Sequence, residues 1–399
     1  MTKFEKRFLG LIEENINYLA IVVVVLLSLF LRFAVRDFEL PDMTVYLLPW
    51  YEAIKENGGI ISGLAKPIYA SNGAICNYSF TYQAILAILG YIPIKPMYAI
   101  KAFSCVFDYA LAIAIGYFVK SISKEYADVK GITAFAIVLI HPLVFINSAS
   151  WGQCDAIYTF WCILSLILLL KEKWAWTFIC YGIAFAFKFQ AVFFLPFMLF
   201  YYFYKKKYSV LYYLIIPVIM IILSVPAYMQ GRSIIETFSI YGANVGLYQS
   251  IAMGYPTFWR VLSDGLHSEG YYTLSIPAKC TTIIILGLIM LWWIKRKIEL
   301  NRDKTIYAAF LLTYTTVLFL PCMHERYGFL YEVLGLIIVF LNKKTVIPYI
   351  CMVIVSLMAY GRGIYYSEFP EAALGLANTA VYVMYMIILN KELFNKKSE

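Results

Sequence analysis

Long apolar runs recur from one end of the 399-residue chain to the other. Many hold about 17–22 residues, enough to cross a hydrocarbon core of ~30 Å at ~1.5 Å per residue. A span in lipid must satisfy its own backbone hydrogen bonds, so the runs are expected to be helices. Only 14% of the residues are charged, where a soluble protein carries ~25%. The expected fold is an all-α polytopic membrane protein, one integral-membrane domain over residues 1–399, with no soluble domain and no internal repeat. The basic start MTKFEKRF precedes the run 18–35. That run is too long for a signal-peptide core and lacks a small-residue cleavage site, so it reads as an uncleaved first span. The eight cysteines match no metal or disulfide spacing and read as packing residues.

Twelve runs read as spans: 18–35, 97–119, 131–147, 155–170, 174–187, 190–204, 208–228, 277–294, 305–320, 327–341, 345–361 and 372–390. The run FTYQAILAILGYIP (80–93) is short and reads as re-entrant or interfacial. Lysine and arginine favour the cytoplasmic side. With 80–93 not crossing, 21 of the 33 Lys and Arg residues fall inside, including Lys205-Lys206-Lys207 and Lys295-Arg296-Lys297. Were 80–93 to cross, every cluster from Lys120 onward would face out. Both termini are therefore expected in the cytoplasm. Residues 36–96 form one long outer loop with two surface helices, about 43–57 and 80–92. The net charge of +9 follows topology and implies no nucleic-acid partner.

With this topology the polar residues hardest to explain share the outer face. They are RDFELPD (36–42), NYSF (77–80), SWGQCD (150–155), KFQ (188–190), MHERYG (323–328) and GRG (361–363). Most have a plain structural reading. Asp37, Glu39 and Asp42 suit solvated loop acids, and Asp42 and Asp155 suit helix N-caps. Lys188 suits a snorkelling lysine, and Trp151 an aromatic-belt anchor. Asp108 lies inside the second span, where an unpaired charge costs at least ~2.5 kcal/mol. It needs a partner or a wet cavity, and no partner is evident.

The stretch His324-Glu325-Arg326 resists the plain reading, because a span end needs none of the three. Arg326 offers a planar fork for phosphate oxygens and His324 a further donor. Glu325 is expected to orient Arg326, since an acid facing a phosphate would repel it. Lys188 and Arg362 reach the same surface if the helices bundle. Carboxylates, cations and aromatics at an outer membrane face suggest chemistry on a lipid-linked phosphate. A carboxylate can take a proton from an acceptor hydroxyl, and a basic pocket can stabilise a departing phosphate. Trp50, Tyr51, Tyr78 and Trp151 suit stacking on sugar rings as well as interface anchoring. A nucleotide-sugar donor fits poorly: there is no phosphate-cradling glycine loop, and such donors are cytoplasmic.

Taken in order, PDMTVYLLPWYEAIKENGG, NYSF, WGQCD, GIAFAFKFQAVFFLP and HERYGF resemble the GT-C glycosyltransferases. More closely, they resemble bacterial proteins related to the second mannosyltransferase of GPI-anchor synthesis. The resemblance covers nearly the whole chain. It implies a GT-C-type bundle of about twelve helices acting on the extracytoplasmic face. The implied reaction is inverting transfer of a hexose such as mannose from a polyprenyl-phosphate donor. The acceptor would be a hydroxyl of a lipid-linked glycan or another extracytoplasmic acceptor, with membrane lipid as the surroundings. Asp42 then takes the place of the general base and His324 that of a donor-phosphate ligand, with Arg326, Lys188 and Arg362 beside it. Asp37, Glu39, Tyr78, Trp151, Gln153, Asp155, Gln190, Glu325 and Tyr327 would bind substrate or support the site. The sequence departs from the pattern at NYSF, where a Tyr-Pro-Pro run is expected. It also lacks a paired-acid metal motif, Asp37 and Glu39 being the nearest pair. No cofactor and no obligatory metal are expected.

A transporter or flippase of lipid-linked saccharides is the competing class. It would place charges near the midplane and show two similar halves; here the polar groups sit at one face. A sugar-polymer ligase would share the outer site. The topology itself is testable. A single cysteine at position 95, in a cysteine-free background, should label from outside with a membrane-impermeant reagent. Labelling only from the cytoplasm would overturn the charge argument and the outward-facing site with it.

Overall fold

The helix Arg302–Phe319 is buried at every position from Thr305 to Phe319. A helix covered on all sides belongs at the centre of a large bundle. Its threonines fit there because Thr305, Thr313, Thr315 and Thr316 each donate to the carbonyl four residues back, at 2.7 Å. Helix Phe329–Leu341 is buried almost as fully. Peripheral helices differ: Lys3–Val35 exposes Val22, Val23, Leu26 and Phe30, and Ser268–Lys295 exposes Ile283, Ile284, Leu288 and Leu291. Apolar surface of that extent marks a lipid-facing side. The computed structural model describes residues 1–71, 73–244, 250–262, 268–365 and 368–395.

Among the described residues the fold is helical, with one isolated β-bridge between Tyr69 and Ile75. The twelve expected runs fall on helical segments, although helices Lys3–Val35 and Ser268–Lys295 begin well before their runs and the run 208–228 is divided among three short pieces. Five helices are long and apolar enough to cross a membrane, or six when the bent pair Ala127–Ile140 and Pro142–Ser150 counts as one. Asp155–Leu170, Trp174–Phe187, Val210–Leu223 and Phe329–Leu341 are shorter apolar helices. One core cluster extends from Leu111 to Leu393.

The outer loop differs from expectation in one respect. Helical pieces Asp42–Leu47, Leu48–Glu56 and Phe80–Leu89 are present. Phe80–Leu89, however, is no surface helix: eight of its ten residues are buried. Ser79 caps it by accepting from the Tyr82 N–H. At ~15 Å it is too short to span. It instead packs among helices Leu48–Glu56, Pro96–Ile122 and Trp174–Phe187. Being apolar on all faces, it gains more from burial there than at an interface.

Helices Pro96–Ile122 and Ala127–Ile140 meet through glycines. A Cβ on Gly116 or on Gly131 would come within 2.9 Å of the other's carbonyl oxygen, so small residues set this crossing. Pro142 then ends the second helix and bends the chain by 45°. A π-turn follows at Ile146–Ser150. The break lets Asn147 and Ser148 turn inward in what would otherwise be an apolar span.

Asp108, fully buried, finds its partner in the first span. The Arg32 guanidinium donates to its Oδ2 from Nη2 at 2.7 Å and from Nε at 3.1 Å, and Ser148 Oγ donates at 2.5 Å. Arg32 Nη1 bonds Ser28 Oγ and the Leu139 carbonyl. Removing one member of such a pair leaves a buried charge and costs about 3–5 kcal/mol. Arg32→Met and Asp108→Leu should each lower the melting temperature of the purified protein sharply. The double variant should lose less than the two losses added. Strictly additive losses would show that the two charges do not stabilise one another.

Candidate active site

Asp155 opens helix Asp155–Leu170, yet it does not cap it. Its carboxylate points sideways into the bundle and is fully buried. Oδ1 receives Lys188 Nζ at 2.7 Å. Oδ2 receives Asn147 Nδ2 at 2.9 Å and lies 3.7 Å from Arg326 Nε. Its position in the first turn adds favourable interaction with the helix dipole. Lys188 is thus no snorkelling lysine. It is 7% exposed and sits at the break between helix Trp174–Phe187 and the 3-10 turn Phe189–Phe194. Partners from three segments, the turn at Ile146–Ser150, the break at Lys188 and the MHERYG stretch, converge on this one acid.

Asp42 stands at the start of the π-turn Asp42–Leu47, after Pro41, and its side chain makes no cap. Gln153 Nε2 donates to its Oδ2 at 2.8 Å, and Arg326 Nη1 lies 3.2 Å from the same oxygen. Tyr78 donates its hydroxyl to Gln153 Oε1 at 3.2 Å, which turns the amide so that its N–H faces Asp42. The loop bearing Asp42 is held from behind. Lys101, buried in the first turns of helix Pro96–Ile122, donates to the carbonyls of Arg36 and Phe38 at 2.7 and 2.6 Å. Gly152 of the SWGQCD stretch has φ +73°, and a Cβ there would strike Met43 Cε. Only glycine allows both the turn and the close approach.

The MHERYG stretch lies between helices Arg302–Phe319 and Phe329–Leu341. Backbone bonds from Cys322 to Ile251 and from Tyr255 to Met323 strap it to the segment 250–258. The Arg326 guanidinium sits over the Trp151 ring, 5.2 Å from its centroid, and Trp151 in turn meets Tyr360 edge-on. Burial works against the Arg326 charge, but Asp42 and then Asp155 outweigh it and hold its pKa above the ordinary guanidinium value. Burial likewise opposes ionisation of Glu325. The hydrogen bond from His324 and the charge of Arg326 overcome it and hold Glu325 below the usual carboxylate range.

Asp42, Lys188 and Arg326 line a cavity of about 680 Å³. Gln153, Tyr78, Gln190 and Tyr327 also face it, with Lys279 from helix Ser268–Lys295. The remaining wall is largely aromatic and aliphatic, including Phe187, Phe189, Phe193 and Leu320. Tyr46, Trp50 and Tyr78 form a ladder of rings on one side, with centroids 5.5 and 5.7 Å apart. A linear carboxylate–guanidinium–carboxylate–ammonium chain beside a largely apolar wall suits a ligand that is part polar and part lipid. Among the described residues, no three His, Cys, Asp or Glu side chains gather to hold a metal ion.

The remaining expected residues sit elsewhere. Glu325 does not orient Arg326; Asp42 and Asp155 do. Glu325 lies 3.7 Å from His324 Nδ1 and fills the space left by Gly254 and Gly363. Gly363 of the GRG stretch is needed for that, since a Cβ there would meet Glu325 Oε1 at 2.6 Å. His324 packs against Tyr327 and is not on the cavity wall. Neither is Arg362, which pairs with Glu371 and donates to the Phe369 carbonyl. Asp37 is exposed, paired with Arg36 and hydrogen-bonded by Tyr98, and Glu39 is exposed. Three contributors escaped the sequence reading: Asn147, Lys101 and Lys279. Their common signal is a lone polar or basic residue inside or at the edge of an apolar run.

The comparison with curated proteins returns no match. The sequence does match the description of glycosyltransferase family 87 over residues 78–321. The match takes in Tyr78, Gln153, Asp155, Lys188 and Lys279, and leaves Asp42 and Arg326 outside it. Because it covers more than half of a helical, apolar chain, the protein belongs to glycosyltransferase family 87.

Proposed function

We propose that this glycosyltransferase is an inverting GT-C enzyme. It moves a hexose such as mannose from a polyprenyl-phosphate donor to a hydroxyl of a lipid-linked glycan or another extracytoplasmic acceptor. The observation that carries the reading is the cavity itself, where the Asp42 carboxylate and the Arg326 guanidinium share a wall with an extended apolar surface. In this scheme all twelve apolar runs cross the membrane, both termini are cytoplasmic and the cavity opens on the outer side. The choice of mannose rests on the motif resemblance to the GPI-anchor enzyme.

The chemistry follows from placement. Asp42 takes the proton of the acceptor hydroxyl as its oxygen attacks the anomeric carbon. The bond from that carbon to the phosphate oxygen breaks, and its electron pair leaves with polyprenyl phosphate. Attack opposite the leaving group inverts the anomeric centre. Arg326, already desolvated and fixed over Trp151, stabilises the charge that grows on the phosphate. Gln153 holds Asp42 in position, and the ring ladder Tyr46–Trp50–Tyr78 offers faces for the sugar.

The test is release of polyprenyl phosphate from a panel of polyprenyl-phosphate hexoses by the purified protein. Asp42→Asn should remain folded and lose at least ~10²-fold in turnover, the usual scale for a general base. Asp37→Asn and Glu39→Gln should lose less; full activity of all three would move the base elsewhere. Arg326→Ala should weaken donor binding and turnover by roughly 10- to 150-fold, the worth of a charged hydrogen bond. Arg326→Lys should recover little, since one ammonium cannot reproduce the fork. His324→Ala tests the remaining expectation for that stretch. Wild-type donor affinity and turnover in that variant would remove His324 from the phosphate site.

A further inference from the structure

The charges that face the cavity are largely spoken for. Lys188 is bound to Asp155, and Arg326 stands between Asp42 and Asp155. These two cations and two carboxylates neutralise one another. Lys279 is different. It lines the same cavity, is partly exposed, and joins no ion pair among the described residues. It lies two residues after Pro277 in helix Ser268–Lys295, shortly before the apolar run 283–294. Its neighbours on that helix do not call for a charge: Ala278 is buried, and Ile276 and Ile283 are exposed apolar residues. A lysine that merely snorkelled would run along the lipid-facing side, whereas this one lines the cavity.

We infer that Lys279, and not Lys188, seats the anionic group of the lipid-linked substrate, as a single uncompensated positive charge that matches one phosphodiester. Lys188 would have to abandon the fully buried Asp155 to bind a phosphate, leaving that acid with a lost ion pair. Among the described residues, Lys279 has no carboxylate to abandon. It lies close enough to Cys322 for its charge to act there, and the stretch Leu320–Met323 also lines the cavity and leads to Arg326. Lys279 and Arg326 line the same cavity, so a phosphate held by Lys279 shares that space with Arg326 as the sugar departs. The apolar wall beside it favours an anion that carries an isoprenoid over a free anion.

The inference takes its ligand class from the donor reading above, but the seat is measurable without turnover. The probe is farnesyl methyl phosphate, a lipid-linked phosphodiester with one negative charge, with neutral farnesol and inorganic phosphate as comparisons. The full-length wild-type protein should bind the diester more tightly than farnesol, and rising ionic strength should weaken only the diester. Lys279→Gln and Lys279→Met, with unchanged melting temperature, should lose on the order of tenfold to a hundredfold in diester affinity and none in farnesol affinity. Lys279→Arg should keep most of it. Wild-type diester affinity in Lys279→Gln, or a wild-type protein that binds diester and farnesol equally at every ionic strength, overturns the seat. Competition by inorganic phosphate as strong as that of the diester overturns its lipid-linked character. The two proposals fail separately. Lys279-dependent binding without release of polyprenyl phosphate from any donor sinks the reaction and leaves the seat. Normal turnover with an unchanged donor KM in Lys279→Gln sinks the seat and leaves the reaction.

Discussion

A carboxylate buried in an apolar bundle must be paired, and Asp155 organises the site around that demand. Moving such a charge out of water costs several kcal/mol unless its oxygens are satisfied. Lys188, Asn147 and Arg326 satisfy them from three different segments. Arg326 carries the arrangement on to Asp42, and Asp42 to Gln153 and Tyr78. Each partner is itself a buried or half-buried polar group that would be costly alone. The network therefore fixes the relative position of the outer loop, the broken helix, the Lys188 turn and the MHERYG stretch. Arg32 and Asp108 repeat the device one level deeper, tying the first span to the second and to the π-turn.

Breaks in regular helix make this possible. A continuous helix in lipid keeps its polar side chains on one stripe and its backbone closed. Here Pro142 and the turn at Ile146–Ser150 send Asn147 and Ser148 to two separate acids. The end of helix Trp174–Phe187 at Lys188 does the same for an ammonium, and the π-turn at Asp42 aims a carboxylate across the cavity. Lys101 and Gly152 take no part in the chemistry but hold the Asp42 loop against these breaks. The proposed lipid-linked substrate would use this combination of rigid polar groups and largely apolar wall in one cavity.

Much of this was legible from residues alone. The apolar runs predicted helices in the right places because hydrophobic length is a local property. The isolated polar stretches 36–42, 150–155, 188–190 and 323–328 each hold a residue of one ion-pair network beside the cavity, because an ionisable group in an apolar chain is retained only for a partner or a purpose. Individual roles were less legible. Asp155 and Asp42 carried cap signatures and cap nothing; Lys188 carried a snorkelling signature and is buried. In each case the local reading was physically sound and a distant partner outweighed it. Glu325, expected beside Arg326, is turned away because Gly254 and Gly363 open a space for it on the other side.

By itself the sequence determined that the chain is a helical membrane protein of a glycosyltransferase family, with its unusual polar residues concentrated in a few short stretches. Those conclusions depend on composition and short-range pattern, which any window of the chain displays. Only the tertiary structure decided who pairs with whom. Gln153 and Asp42 are 111 residues apart, Arg32 and Asp108 are 76, and Lys188 and Asp155 are 33. Nothing local encodes such partners, because side-chain pairing is set by how helices cross, and the crossings depend on features such as Gly116 against Gly131 whose effect appears only in contact. The same holds for Lys279, whose charge is ordinary in the sequence and becomes distinctive only because every other cation on the cavity wall among the described residues is already matched.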